Sequence, residues 1–370
     1  MASIAGSQSA PIRDHDRDRA AVRVWLAVVA LLIVAMVVVG GATRLTHAGL
    51  TITEWQPIHG VIPPLTQAEW QDEFAKYQQI PEYQQLNQGM TLGEFKGIFW
   101  WEWAHRLLGR LIGVVVLVPL FALWLTGRIE PRLKPRLMAL FLLGGLQGAV
   151  GWWMVKSGLS VRTDVSQYRL ATHLTLATAI LAYAVWLARG LAPSALASPR
   201  WRLRGIAGLL VGLTGLQIFL GGLVAGLDAG LSYNTWPLMD GGLVPSGLFV
   251  QSPWWRNLFE NVATVQFDHR LGAYVLFAIA WGHAWQARGT PYVRTAVGLA
   301  LLVSLQAVLG IATLLTVVPL PLALLHQLGA VSVLIVAVIH LRRMWPPMPV
   351  VGPPTVTPRA TAERQPQPSS

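Results

Sequence analysis

Glu102 and His105 stand three residues apart in E-F-K-G-I-F-W-W-E-W-A-H-R-L-L-G-R, residues 94–110, which leads into the uncharged run 111–127. On a helix such an i, i+3 pair shares one face. Ionisable side chains in a bilayer are costly and mark a cofactor, an ion path or a proton path. An interfacial belt accounts for the same stretch equally well, with Trp100, Trp101, Trp103, Arg106 and Arg110 at headgroup level and His105 as one more amphipathic ring. Recurrence of the histidine decides between the two. His105-Arg106 returns as His269-Arg270, in matching contexts E-W-A-H-R-L and Q-F-D-H-R-L, while His173 follows Tyr168 by five residues and His326 follows Pro321 by five.

The elements that position these four histidines are membrane helices. Hydrophobic residues make up 54% of the 370 and charged residues only 12%, against roughly 25% charged in a soluble domain. Uncharged runs at 24–43, 111–127, 137–155, 170–188, 205–227 and 271–287, with 295–341 split by Pro319-Leu320-Pro321, predict eight spanning helices. The fold class is therefore an all-α integral membrane protein. The first run is long enough to span and lacks a cleavage site, so no removable signal is expected.

A net charge of +11 raises nucleic acid as a partner, but the arginines fall in short loops instead of on one soluble face. Arg128, Arg132, Lys134, Arg136, Arg200, Arg202, Arg204, Arg288, Arg294, Arg342 and Arg343 all occupy alternate connections, which the positive-inside rule assigns to the cytoplasm together with both termini. Residues 1–20 and 344–370 read as disordered cytoplasmic tails. In the long outer loop 44–99, Thr66-Gln67-Ala68-Glu69 and Thr91 to Glu94 are capping boxes, predicting a short surface helix and an early start for the second span.

The chain is duplicated. Gly40 to Trp55 aligns without gaps on Gly221 to Trp236, displaced by 181 positions, sharing the glycine pair, the A-G-L triplet and the tryptophan. Four helices in 21–190 and four in 200–343 thus form two parallel repeat-related bundles, and equivalent residues fall on one side of the membrane. Leu146-Gln147 and Leu305-Gln306 also correspond.

With no cysteine in the chain, a metal must be held by nitrogen or oxygen. Histidines paired across a four-helix bundle suit a bis-histidine haem. Zinc would want three or four ligands converging on one point, and these come in twos. Arg106, Arg270, Lys156, Arg162 and Arg169 are candidates to meet haem propionates, with interfacial anchoring as the ordinary reading of each. His283 and His340 each follow a candidate ligand by 14 residues, about 21 Å along a helix, and a second haem near the cytoplasmic face is the arrangement that spacing would serve. His15, His47 and His59 lie in the tail and the first loop and read as solvated or loop-packing. On the residues alone, a diheme cytochrome b carrying electrons from quinol stands first.

G-G-A-T-R-L-T-H-A-G-L, E-W-A-H-R-L-L-G-R, Q-G-A-V-G-W-W-M-V-K-S-G-L, G-G-L-V-A-G-L-D-A-G-L-S-Y-N-T-W-P-L-M, V-Q-F-D-H-R and L-H-Q-L-G-A closely resemble the haem A synthase family, over about residues 40–330. Absence of an outer-loop cysteine pair looks like its proteobacterial and mitochondrial branch. The resemblance implies oxidation of the C8 methyl of haem O to a formyl group, giving haem A for terminal oxidases in a bacterial inner membrane. It implies that His269 and His326 ligate a resident haem b, that His105 and His173 hold the substrate haem, and that Glu102 sits beside the reacting edge. Gln266 at the repeat position of Glu102 agrees, since only one half carries the acid. Methyl to formyl is a four-electron change, most simply two hydroxylations and loss of water from a gem-diol. Iron with two axial histidines has no open position, so either one of His105 and His173 leaves it during turnover or electrons are withdrawn through haem b with water as the oxygen source. Partners to expect are haem O, an electron donor, the enzyme that supplies haem O, membrane lipid and a second copy of the chain.

Overall fold

A computed structural model of the chain describes residues 15–55, 59–160, 162–192 and 201–348. Among them α1 spans His15–Leu45, α2 Gln67–Tyr77, α3 Pro81–Gln85, α4 Leu92–Leu125, α5 Lys134–Val155, α6 Gln167–Gly190, α7 Trp201–Gly226, α8 Asn257–Glu260, α9 Val262–Gln286, α10 Val293–Leu315 and α11 Leu320–Arg343. Eight of these are long, as the apolar runs predict. Seven of the eight qualify as membrane spans by length and composition. The exception, α9, carries Gln266, Asp268, His269, Arg270, His283 and Gln286 along its 25 residues, which dilutes its hydropathy.

Contacts close two rings of four, α1-α4-α5-α6 and α7-α9-α10-α11, joined through α6 against α7 and α11 and α1 against α11. The join is close at α6 and α7, where Gly222 and Gly226 lie on the backbone of Ala171 and Gln167; a Cβ there would stand 2.9 and 2.7 Å from their Cα atoms. One apolar core runs through this join, from Leu26, Val29 and Leu181 to Ile218, Leu334 and Val338. A second fills the other ring around Leu210, Leu276, Leu299 and Ala337. Leu111, Val114, Val118 and Phe121 on α4 are exposed, forming a continuous apolar face such as lipid covers.

Both capping boxes are formed. Thr66 and Glu69 cap α2, and Thr91 and Glu94 cap α4, each with reciprocal side-chain to backbone hydrogen bonds. The aromatic face of α2 meets protein instead of a bilayer surface: Trp70 packs edge-on against Phe99 and Tyr77 against Phe95, both on the first turns of α4. The first long loop is therefore a small folded cap over the α1-α4-α5-α6 ring.

The tail expected over residues 1–20 is corrected at its end. Helix α1 begins at His15, and Arg19 is buried, paired with Glu130 and donating to the carbonyl of Met348. An arginine that reaches a carboxylate and a carbonyl is ordered by them, which composition alone does not disclose. The other tail also starts packed: the Met348 amide donates to the Gly190 carbonyl at 3.1 Å. Residues 1–14 and 349–370, and Arg200, lie outside the described residues. His47 is exposed; the side chains of His15 and His59 are outside the description.

Candidate functional site

Each of the four histidines rests on a glycine of the neighbouring helix. A Cβ at Gly40 of α1 would stand 2.8 Å from Cε1 of His105 on α4, and one at Gly221 of α7 would stand 3.2 Å from Cε1 of His269 on α9. The corresponding distances are 2.9 Å for Gly151 of α5 against His173 on α6 and 2.8 Å for Gly310 of α10 against His326 on α11. Absent side chains thus let four imidazoles approach neighbouring backbones, by the same device in both rings.

Three of the rings have a glutamine against them. The side-chain amide nitrogens of Gln147, Gln217 and Gln306 lie 3.1, 3.1 and 3.0 Å from Nδ1 of His173, His269 and His326. Each also donates to the backbone carbonyl of the same histidine, at 3.1, 2.8 and 2.7 Å. Sequence correspondence picks out Gln147 and Gln306 but misses Gln217, because its repeat position, 181 residues earlier, is Met36.

The ring centroids of His269 and His326 are 6.4 Å apart with planes at 79°. Two metal–imidazole bonds of about 2 Å, plus about 1.1 Å from each nitrogen to its centroid, require roughly 6 Å. This pair fits one iron between its rings. The Oε1 atoms of Gln147, Gln217 and Gln306 are buried without a partner, and it is the amide nitrogen of each that faces the ring. His283 and His340 do not fit. Their Nε2 atoms are 2.8 Å apart, where iron would need about 4 Å, and they share a hydrogen bond while Thr295 Oγ1 lies 2.7 Å from Nδ1 of His340. Both are buried. The 14-residue spacing thus places a polar pair, not a second pair of haem ligands. Among the described residues no group of three or more histidine or carboxylate side chains converges as a metal site.

Glu102 is 3% exposed and its carboxylate is saturated. Oε1 accepts from Arg106 at 3.0 and 2.6 Å, and Oε2 accepts from the Thr51 hydroxyl at 2.7 Å and the Ile52 amide at 2.9 Å. Arg106 in turn donates to the carbonyls of Ile52 and Glu54. The other ring repeats the knot with an amide: Gln266 donates to the carbonyls of Ala229 and Ser232 and accepts from Arg270. Arg270 also donates to the Tyr233 carbonyl, and its Nε is buried without a partner. Lys156 lies over Trp152, and Arg169 over Trp153 with a bond to the Trp153 carbonyl. Arg162 pairs with Asp164, and Lys96 lies over Trp70.

A second buried carboxyl lies in the cap. Glu82 of α3 is 4% exposed and its Oε2 has no partner. It lines a cavity of about 340 Å³ with Thr46, His47, Asn87 and Ile98. Burial first, then the charge of Glu102, push the Glu82 carboxyl up to about 8 against the attraction of Arg44. Nothing in its sequence context, P-E-Y-Q-Q, distinguishes it from a solvated loop residue.

Comparison with known proteins follows the same lines. The family described as "Cytochrome oxidase assembly protein" matches residues 23–338. A protein of Chelativorans sp. (strain BNC1) named "Heme A synthase" is 61% identical over 330 residues, 88% of this chain and 91% of its own. Proteins of the same name from Sinorhizobium fredii (strain NBRC 101917 / NGR234) and Rhizobium meliloti (strain 1021) are 56% and 58% identical, covering 92% and 88% of this chain and 95% and 90% of their own lengths.

Proposed function

The chain belongs to the cytochrome oxidase assembly protein family, and from that membership and the histidine geometry we infer that it oxidises the C8 methyl of haem O to a formyl group, giving haem A. The observation that carries the division of labour is the exchange of Glu102 in one ring for Gln266 in the other, where both rings seat their histidines on glycines. His269 and His326 ligate a resident haem b. That group supplies one-electron transfer between the membrane's electron carriers and the substrate site.

His105 and His173 hold haem O in the other ring, with its methyl edge toward Glu102. Four hydrogen bonds hold the Glu102 carboxylate in place. It takes or delivers a proton at the reacting edge, beside the Arg106 guanidinium. Carbon oxidation would pass through hydroxymethyl and gem-diol stages, the last losing water; from methyl to formyl the carbon gives up four electrons and four protons for each oxygen atom retained, the electrons going to dioxygen or to the membrane's electron carriers. Propionates meet basic groups at the loop end of the rings: Arg270 through its unpartnered Nε, with Arg106, Lys156 and Arg169 as further contacts. The protein sits in the bacterial inner membrane with both tails cytoplasmic, the loop end facing outward.

Glu102→Gln is the decisive substitution. Gln266 is a precedent for an amide tying the loop at this position, so the variant keeps its fold and the resident haem. Haem A formation falls by about two to four orders of magnitude, the usual contribution of a positioned acid or base. The assay is chromatography of haem extracted from cells that also make haem O. Normal haem A from the variant would remove Glu102 from the reaction; protohaem alone from the unaltered protein would favour the quinol-linked cytochrome.

A further inference from the structure

Among the four histidines, His105 alone lacks a glutamine. The residue of α1 at the repeat position of Gln217 is Met36, whose Cε lies 3.4 Å from the place of a Cβ on Gly109, one turn beyond His105. Nδ1 of His105 is buried and has no hydrogen-bond partner. The exchange is matched on the facing helix. Gly272 of α9 admits the Gln217 amide, a Cβ there standing 2.3 Å from its Oε1, and the equivalent residue of α4 is Leu108. Two positions have thus changed together, from an amide and a space for it to a thioether and an isobutyl group.

A hydrogen-bond partner beside the second nitrogen of a ligating imidazole holds the ring in its orientation. His173, His269 and His326 each have a glutamine amide nitrogen beside Nδ1, which also donates to the backbone carbonyl of the same histidine. His105 has Gly40 beneath its ring, with Met36 and Leu108 at the positions that carry the amide and the space for it in the other ring. We propose that Met36 is a positioning residue that leaves His105 free to yield: of the four axial histidines, His105 is the one that swings away to open a coordination position at the substrate, while His173 stays. This rests on the reading that His105 and His173 hold the substrate haem. It resolves the conflict between two axial histidines and chemistry that needs an open position, and it does so without moving any helix.

Carbon monoxide is the probe, because it binds a ferrous haem only where an axial ligand gives way. The protein is isolated with both rings loaded, reduced anaerobically and mixed with the gas, and the absorbance change is followed in time without turnover. In the unaltered protein one of the two haems takes carbon monoxide and the other does not. Met36→Gln with Leu108→Gly rebuilds the α7–α9 arrangement and slows that binding by about 10- to 100-fold, the usual scale of an outer-shell partner. Gln217→Met does the reverse, making the second haem reactive, and is informative even if the double variant fails to assemble. Unchanged carbon monoxide binding in both variants overturns the role of Met36. Full haem content in both His105→Ala and His173→Ala instead overturns the ligand assignment beneath it, so the two failures are told apart by the haem to protein ratio.

Discussion

Gly310→Ala is the smallest change that tests whether the glycine seats set the ligand geometry. The new methyl would stand 2.8 Å from Cε1 of His326, so the ring must retreat by about 0.6 Å to reach ordinary contact. Overpacking of this kind costs about 1–3 kcal/mol. Alanine's better helix propensity is common to the haem-bound and haem-free folded protein and leaves this difference unchanged. At about 1.4 kcal/mol per tenfold, resident haem is released about 5 to 140 times more readily. Gly221→Ala, whose methyl would meet His269 Cε1 at 3.2 Å, requires about a third of that displacement and a correspondingly smaller effect. Gly298→Ala lies on the same helix as Gly310 with nothing within 4 Å, and gains propensity without a clash. The assay is transfer of haem from the purified protein to apomyoglobin, followed in the Soret band. Equal retention in the Gly310 and Gly298 variants would refute the seat.

Two further outcomes follow from buried polar groups away from the four ligands. Glu82, raised from 4.5 to about 8, binds a proton more tightly in the folded cap than in the unfolded chain. Its contribution to stability is therefore full below about 4.5 and is lost as pH rises through about 8; infrared titration should show a protonated carboxyl band fading near that pH, and Glu82→Gln should abolish the band and flatten this part of the pH dependence, whereas a band that survives belongs to another group. His340→Ala leaves the buried His283 imidazole without its partner, and His283→Ala leaves Nε2 of His340 without one while Thr295 keeps its Nδ1; each costs about 1–3 kcal/mol, read as a lower melting temperature with haem content unchanged. Matched loss of haem from both would mean that the pair opens to hold iron.

The helices and the four histidines were legible because membrane burial and duplication leave coarse marks: long uncharged runs, arginines in alternate loops, and H-R-L at the head of two equivalent helices. The capping boxes of Thr66 and Thr91 were equally plain, since both halves of each motif are local in sequence. What contacts them was not. The capping box predicts a surface helix, yet Trp70 and Tyr77 of that helix pack on α4, whose first turns present Phe95 and Phe99. Arg19 and Glu130 are 111 positions apart, and pairing at that range has no local signature. The 14-residue offset of His283 and His340 gave their depth in the helices but not the 2.8 Å between them, which decides what they can bind. Gln217 escaped notice for the opposite reason: a search for shared residues passes over the position where the two halves differ.

Those differences are where the two rings divide their work. Duplication supplies two equivalent seats, each with a glycine beneath every ring and an arginine knot at the loop end, and geometry of this kind binds two similar haems in similar ways. A reaction confined to one ring needs departures from the repeat, and three stand around one histidine: Glu102 for Gln266, Met36 for Gln217 and Leu108 for Gly272. The first places a carboxylate four hydrogen bonds deep beside the His105 turn. The other two remove the hold on the His105 ring without enlarging the space around it. In the opposite ring every equivalent group is neutral, amide-held or absent, as suits a haem that exchanges electrons and keeps both ligands. On the proposed reading the acid and the released ligand therefore both stand on α4, and His173, with the Gln147 amide 3.1 Å from its Nδ1, would anchor the substrate from the other side.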